Sequence, residues 1–260
     1  MKSTLKSMVA VGTVIGVVAP SAFAGITATL YANTGGSNDG QPSGYRDTST
    51  VGGEFTAVLS GNSVLDNTIL SGYSQSAKVS VNGQAGFETF CVENNVDFKP
   101  GTSYSATLNQ SITPGATGAI NTLTQGVAWL YKEFATGALQ DYNYTVGTSR
   151  EASATALQDA IWYLQGETKS EGTGDEFVQL ADTALHGASN AEEATTAAGA
   201  SNFGVDVLDL TTLNGQPCYA QDQLVYCPVP EPSTIAAGAM LLLPLGWTTH
   251  RALRSRKSGR

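Results

Sequence analysis

Thr148-Ser-Arg-Glu-Ala-Ser-Ala-Thr-Ala-Leu-Gln-Asp-Ala-Ile-Trp-Tyr-Leu-Gln-Gly166 is the stretch around which the chain is organised. Thr148 followed three residues later by Glu151 reads as a capping box, in which side chains satisfy the first free N–H groups of a helix. Ala154, Leu157, Ile161 and Leu164 then recur at helical spacing, so one face of the helix is expected to be buried. Gln158 falls on or beside that face, and Trp162 stands one turn further along, within reach at i,i+4. An amide buried without a partner is costly, so Gln158 needs either a hydrogen bond or a covalent bond.

Working outward, the segments 26–31, 54–59, 77–81, 87–93 and 103–108 read as strands, and 33–49 is a Gly/Ser/Asn/Asp loop. Helices are expected at 119–134, 149–165 and 176–188, followed by a strand over 203–210. The segment from Cys218-Tyr to Tyr-Cys227 looks symmetric and reads as a hairpin. Strands, then a helical insert, then strands again predict an α+β domain spanning residues 25–228.

The two ends of the chain read as addresses. Lys2 and Lys6, the apolar run 8–19 and Ala22-Phe23-Ala24 have the layout of a secretory signal peptide cleaved after Ala24. At the other end, Pro230-Glu231-Pro232 precedes an apolar stretch that reads as a membrane helix over 234–250. The basic residues Arg251, Arg254, Arg256, Lys257 and Arg260 follow it. This order of proline-rich motif, apolar helix and basic end resembles the PEP-CTERM sorting signal of Gram-negative bacteria. The resemblance implies processing by exosortase, a membrane protease, with an inner-membrane precursor and a mature body at the cell surface or in the extracellular matrix.

Between these addresses six Lys and Arg face 21 Asp and Glu, a net charge of −15. Such a surface repels phosphate backbones, so nucleic acid is excluded as a partner. Three cysteines remain, and in an oxidising compartment Cys218 and Cys227, flanking the expected hairpin, are expected to pair. Cys91 is then left over, in the apolar run Thr89-Phe90-Cys91-Val92 just before Asn94-Asn95. It is a buried inert thiol, a thiol paired between molecules, or a chemically committed one.

Phe90-Cys91 and Gln158-Asp159-Ala160-Ile161-Trp162, with Gln125-Gly126-Val127-Ala128-Trp129 between them, resemble the motifs of bacterial thioester adhesin domains. The similarity covers about residues 87–166, and Leu157 stands where those domains usually have Thr. It implies that Cys91 attacks the Gln158 side-chain carbonyl, that ammonia leaves, and that Phe90 and Trp162 shield the resulting internal thioester. Such a reaction needs near-attack geometry and exclusion of water. A target amine or hydroxyl then opens the thioester and stays covalently attached. Gln125 and Gln165 are the competing glutamines, but only Gln158 has Ala-Ile-Trp at the right offsets. The rival expectation is a non-covalent structural or binding protein of the extracellular matrix, with Cys91 a buried thiol and Gln158 hydrogen-bonded.

Enzyme readings have little to build on. His186 is the only histidine of the body, which disfavours a Cys–His or Ser–His–Asp centre and a zinc site. Gly35-Gly36 and Gly52-Gly53 read as turns, without the spacing of a phosphate-binding loop. Asp39, Asp47, Asp175 and Glu176 lack the spacing of a calcium loop. No cofactor is expected and no metal site is assigned, calcium staying open without a specific ligand set, and a thioester that reacts once is not an enzyme.

Overall fold

Ile26, Ala28 and Leu30 are buried while the residues between them are half-buried, the alternation of a strand with one face on the core. This strand, β1 (Ile26–Tyr31), is central to the sheet. The computed structural model describes residues 26–32, 45–46, 52–112, 121–172, 174–186, 202–212 and 220–228. The expected leader 1–24, Cys218 and the sorting segment 229–260 lie outside the described residues.

After β1 come β2 (Tyr45–Arg46), β3 (Gly53–Ser60), α1 (Ser63–Gly72), β4 (Lys78–Val81) and β5 (Gln84–Thr89). Next are β6 (Thr102–Asn109), β7 (Ser111–Ile112), β8 (Asn121–Thr122), α2 (Gln125–Thr136), α3 (Thr148–Gln165) and α4 (Asp175–Ala184). The last two strands are β9 (Val205–Thr212) and β10 (Ala220–Tyr226). The domain is therefore α+β, an antiparallel sheet in the order β10-β9-β6-β1-β3-β5-β4 with four helices. β2 pairs on β3, and β7 with β8 forms a separate two-stranded ladder. Asn82 and Gly83, both at positive φ (51° and 80°), make the tight turn that sets the β4–β5 register at Val81↔Gln84.

The sheet meets itself at a seam. Beyond Thr89 the chain leaves β3 and lies against β10, where the Leu224 N–H donates to the Phe90 carbonyl at 3.1 Å. The Val92 N–H donates to the Asp222 carbonyl at 3.1 Å, and Cys91 pairs with Gln223 between these bonds. The strand expected over 87–93 thus ends at Thr89, and its last residues become the link that closes the sheet.

α3 packs against β3, α2 and α4. Its four expected core residues, Ala154, Leu157, Ile161 and Leu164, are fully buried, at about 1.5–3 kcal/mol for each of the three larger side chains. The expected capping box does not form. Gly147, at φ 136°, takes the cap position, its carbonyl accepts from Arg150 and Glu151, and no side chain caps the helix. At the other end Gly166 adopts φ 80°, and the Glu167 N–H returns to the Trp162 carbonyl at 2.8 Å. α2 begins at Gln125 and not at 119, because the Thr124 hydroxyl caps it by accepting from the Val127 N–H at 3.4 Å. α1 was not expected from the sequence. It is short, capped by Asn62 and fully buries only Ile69.

The expected Cys218–Cys227 hairpin is replaced by a continuous strand, β10, paired with β9. Cys227 is a free thiol. A run from 220 to 226 at about 3.3 Å per residue spans about 20 Å, whereas disulfide-linked Cα atoms lie within about 7 Å. Cys218 lies outside the described residues, so the structure describes this end of the expected pair alone.

Candidate functional site

Cys91 and Gln158 are 67 residues apart in the chain and meet in the core, at 0% and 1% exposure. The Gln158 Nε2 donates to the Cys91 carbonyl at 2.8 Å, and its Oε1 accepts from the Cys91 N–H at 3.0 Å. The Gly53 N–H, at the head of β3, donates to the same oxygen at 3.4 Å. Two backbone N–H groups therefore converge on the Gln158 carbonyl oxygen. The sheet seam presents the cysteine, and the buried face of α3 presents the amide.

The thiol has its own surroundings, supplied by β10. The Cys91 Sγ donates to Gln221 Oε1 at 2.8 Å, and Gln223 Nε2 donates to Sγ at 3.4 Å. Neither amide is free to rotate. Gln221 Nε2 is held by the Glu93 carbonyl at 2.5 Å, and Gln223 Nε2 also donates to the Gln221 carbonyl at 3.2 Å. The Glu93 carboxylate accepts from the Asp222 N–H at 2.9 Å, which fastens the turn after the cysteine to β10. Burial pushes the Cys91 thiol far above its ordinary range, the Gln223 hydrogen bond opposes this, and the Glu93 and Asp97 carboxylates add to it. Cys91 is thus a protonated thiol in the resting protein.

Apolar cover comes from Phe55 and Trp162, which form one buried cluster with Cys91, with Ala32 and Phe98 packed against it. Phe55 and Phe98 meet edge to face at 5.0 Å. The shielding expected of Phe90 does not arise. In extended chain its side chain points opposite to that of Cys91, and it stacks edge-on against Phe134 at 5.0 Å in the main core. Gly52 closes the near side. A Cβ there would lie 2.6 Å from Gln158 Cγ and would also strike the Trp162 ring, so only glycine fits beneath these two side chains. Two polar atoms at this site are buried without a partner, the Trp162 indole Nε1 and the Gln223 Oε1.

The competing glutamines go elsewhere. Gln165, two turns after Gln158, accepts from the Thr124 N–H at 3.1 Å and donates to the Thr122 carbonyl at 3.1 Å. Gln125 is half-buried at the start of α2. His186 is exposed, in the turn after α4, whereas Cys91 is buried. Among the described residues, no group of three or more His, Cys, Asp or Glu is placed to hold a metal ion. A groove of about 240 Å³ beside α1, lined by Leu59, Asp66, Leu70 and Phe87 among others, contains none of the residues singled out from the sequence.

Sequence reasoning missed Gly52, Gly53, Phe55, Gln221 and Gln223. The Gly-Gly pair before an apolar strand and the Gln-x-Gln repeat were available signals. The first marks a close approach of backbone, and the second a pair of amides within one strand.

On the β3 side facing away from Cys91 lies a second polar cluster. Glu54, fully buried, is gripped by the Arg150 guanidinium through Nε at 3.0 Å and through Nη2, and by the Tyr142 hydroxyl at 2.5 Å. Arg150 also donates to the Tyr144 carbonyl at 3.0 Å and the Ser76 carbonyl at 2.9 Å. Nearby Glu88 has the Thr56 hydroxyl at 2.9 Å, and burial, then the Glu54 charge, push its carboxyl well above the ordinary range. The chain matches no family model, no curated protein and no solved structure.

Proposed function

We propose that Cys91 and Gln158 form an internal thioester through which the exported body becomes covalently attached to an amine- or hydroxyl-bearing component of the cell surface or matrix. The observation that carries this reading is the pairing of the Gln158 amide with the Cys91 backbone, in a buried site between Gly53, Phe55 and Trp162. In the reaction the Sγ–Cδ bond forms and the Cδ–Nε2 bond breaks, and the thiol proton leaves with the ammonia. Negative charge gathers on Oε1 as sulfur adds, where the Cys91 and Gly53 N–H groups already point. Fixed proximity replaces a bimolecular encounter, and the buried setting keeps water from hydrolysing the product. Opening by a target forms a new amide or ester at Gln158 and returns the thiol, one event per molecule. In the same reading, the signal peptide directs export and the C-terminal segment directs sorting by exosortase through an inner-membrane precursor.

One observation favours a second reading, a non-covalent matrix protein. The Gln158 amide is already satisfied by hydrogen bonds on both its oxygen and its nitrogen, as Gln165 is by Thr122 and Thr124. In that case Gln158 is a clip that fastens the seam to α3. Intact mass of the exported protein, purified without reductant, separates the two. Loss of one ammonia, absent in C91A and Q158A but retained in Q165A, together with addition of methylamine at Gln158, is the expected result. A full mass with an alkylatable Cys91 in the unfolded protein would leave the clip.

A further inference from the structure

We infer that Gln221 and Gln223 of β10 are positioning residues for the Cys91 sulfur, Gln221 before the thioester forms and Gln223 when it opens. The inference rests on the thioester reading. The two amides make opposite hydrogen bonds to the same atom. Gln221 Oε1 accepts from the thiol at 2.8 Å, and Gln223 Nε2 donates to the sulfur at 3.4 Å. Their orientations are imposed by neighbours that can only accept, the Glu93 and Gln221 carbonyls. A cysteine that only fills space in a core has no use for such a pair. All three glutamines at the site are buried beneath 5% exposure, and each brings an amide that must be desolvated.

The two bonds act at different moments. The Gln221 bond exists only while sulfur carries hydrogen, so it holds the thiol in one rotamer for attack on Gln158. That bond is lost once the S–C bond forms. The Gln223 bond needs only a lone pair, so it survives in the thioester and strengthens as the sulfur leaves with negative charge. During opening, the amine nitrogen bonds to Cδ, the Cδ–Sγ bond breaks, and the amine proton ends on the sulfur. Gln223 has a second part in this step. Its Oε1 is buried, carries no hydrogen bond and belongs to the side chain that touches the sulfur. It is an acceptor the protein leaves open for the N–H of an attacking primary amine.

The test uses the exported protein and its Q221M and Q223M variants, in which methionine keeps the length of the side chain. Intact mass follows ammonia loss, and methylamine addition follows opening. Q223M is expected to form the thioester yet open about 10- to 100-fold more slowly, the effect of losing a hydrogen bond to a developing charge. Q221M is expected to form it more slowly by about 10-fold and to open at the wild-type rate. A structural defect moves both rates together, so this split between formation and opening is the signature. Equal rates in all three proteins would overturn the inference while leaving the thioester in place. Absence of ammonia loss in the wild type would overturn both. Should neither variant fold, the wild type decides. The Gln223 side-chain amide resonance of nitrogen-15-labelled protein is expected to move between the closed and methylamine-opened forms, and an unmoved resonance would overturn the inference.

Discussion

β3 carries two buried polar clusters on alternate residues, and they are built on opposite terms. Glu54 reaches Arg150 and Tyr142, where full charges are matched by charge-assisted hydrogen bonds. Gly53 and Phe55 reach Gln158, Cys91 and Trp162, where no ion pair is made and two polar atoms are left over. Buried polar atoms are almost always paired, so an orphan acceptor and an orphan donor in one site depart from the rule the first cluster obeys. The charged cluster is a strut that fixes the start of α3 against β3. The neutral one is held less completely, with an open donor and an open acceptor in the cluster that holds Cys91.

The largest effect expected from breaking this contrast is at the strut. R150M removes the counter-charge and leaves the buried Glu54 carboxylate with the Tyr142 hydroxyl alone, which should cost about 3–5 kcal/mol in urea unfolding. The double variant E54Q/R150M should recover part of that loss, and a cycle with no coupling would show that the pair is not a unit. At the neutral cluster, G52A should cost about 1–3 kcal/mol through overpacking against Gln158 and Trp162. If the thioester forms, the same variant should lose it to hydrolysis, read as the return of a free thiol and the gain of one water in intact mass. Unchanged stability and mass would show that the Gly52 backbone moves aside.

The third test is of pH. The folded-state pKa of Glu88 is raised, so its contribution to stability is fully present below the ordinary carboxyl range and is lost as pH rises through the raised value. Unfolding midpoints should therefore fall on the alkaline side of that window, and E88Q should flatten the slope, by about 2–4 °C for each kcal/mol removed. A parallel slope in E88Q would assign the effect to another group. The smallest effect is expected at Trp162. Its indole N–H has no partner to lose, so W162F should cost about 1 kcal/mol or less in stability, from packing area alone. A larger loss would mean that the N–H is bonded in solution.

What could be read from the sequence divides along the same line. The core face of α3 and the bounds of β1 were legible, because periodicity reports on single elements, whereas the Cys91–Gln158 pair came from the resemblance to thioester adhesin domains and not from spacing. β10 was not. Gln221, Asp222 and Gln223 look like a turn between two cysteines, yet all three are buried, because their polar groups serve the seam. A strand with a polar middle is recognisable only once its partners are in place. The capping box failed for a related reason. Thr148 has the right chemistry, but Gly147 before it can adopt φ 136°, so the chain enters the helix one residue early and Thr148 becomes its first turn. Phe90 does not cover the Cys91 sulfur, because neighbouring residues in an extended chain point to opposite sides.

The seam at Phe90–Val92 also bears on how the fold carries tension. β10 is the last strand among the described residues, and the chain leaves it through Cys227 and Pro228. A pull on that end draws β10 lengthwise between β9 and the Phe90–Val92 segment, so hydrogen bonds on both flanks are loaded together in shear and are not peeled in turn. Resistance of this kind is set by the rate of unfolding and not by equilibrium stability. Cys91 lies midway along one flank, and the side chain that grips it grows from α3, the longest of the described helices. Force entering at β10 thus has a hydrogen-bonded path to α3 through Cys91 and Gln158.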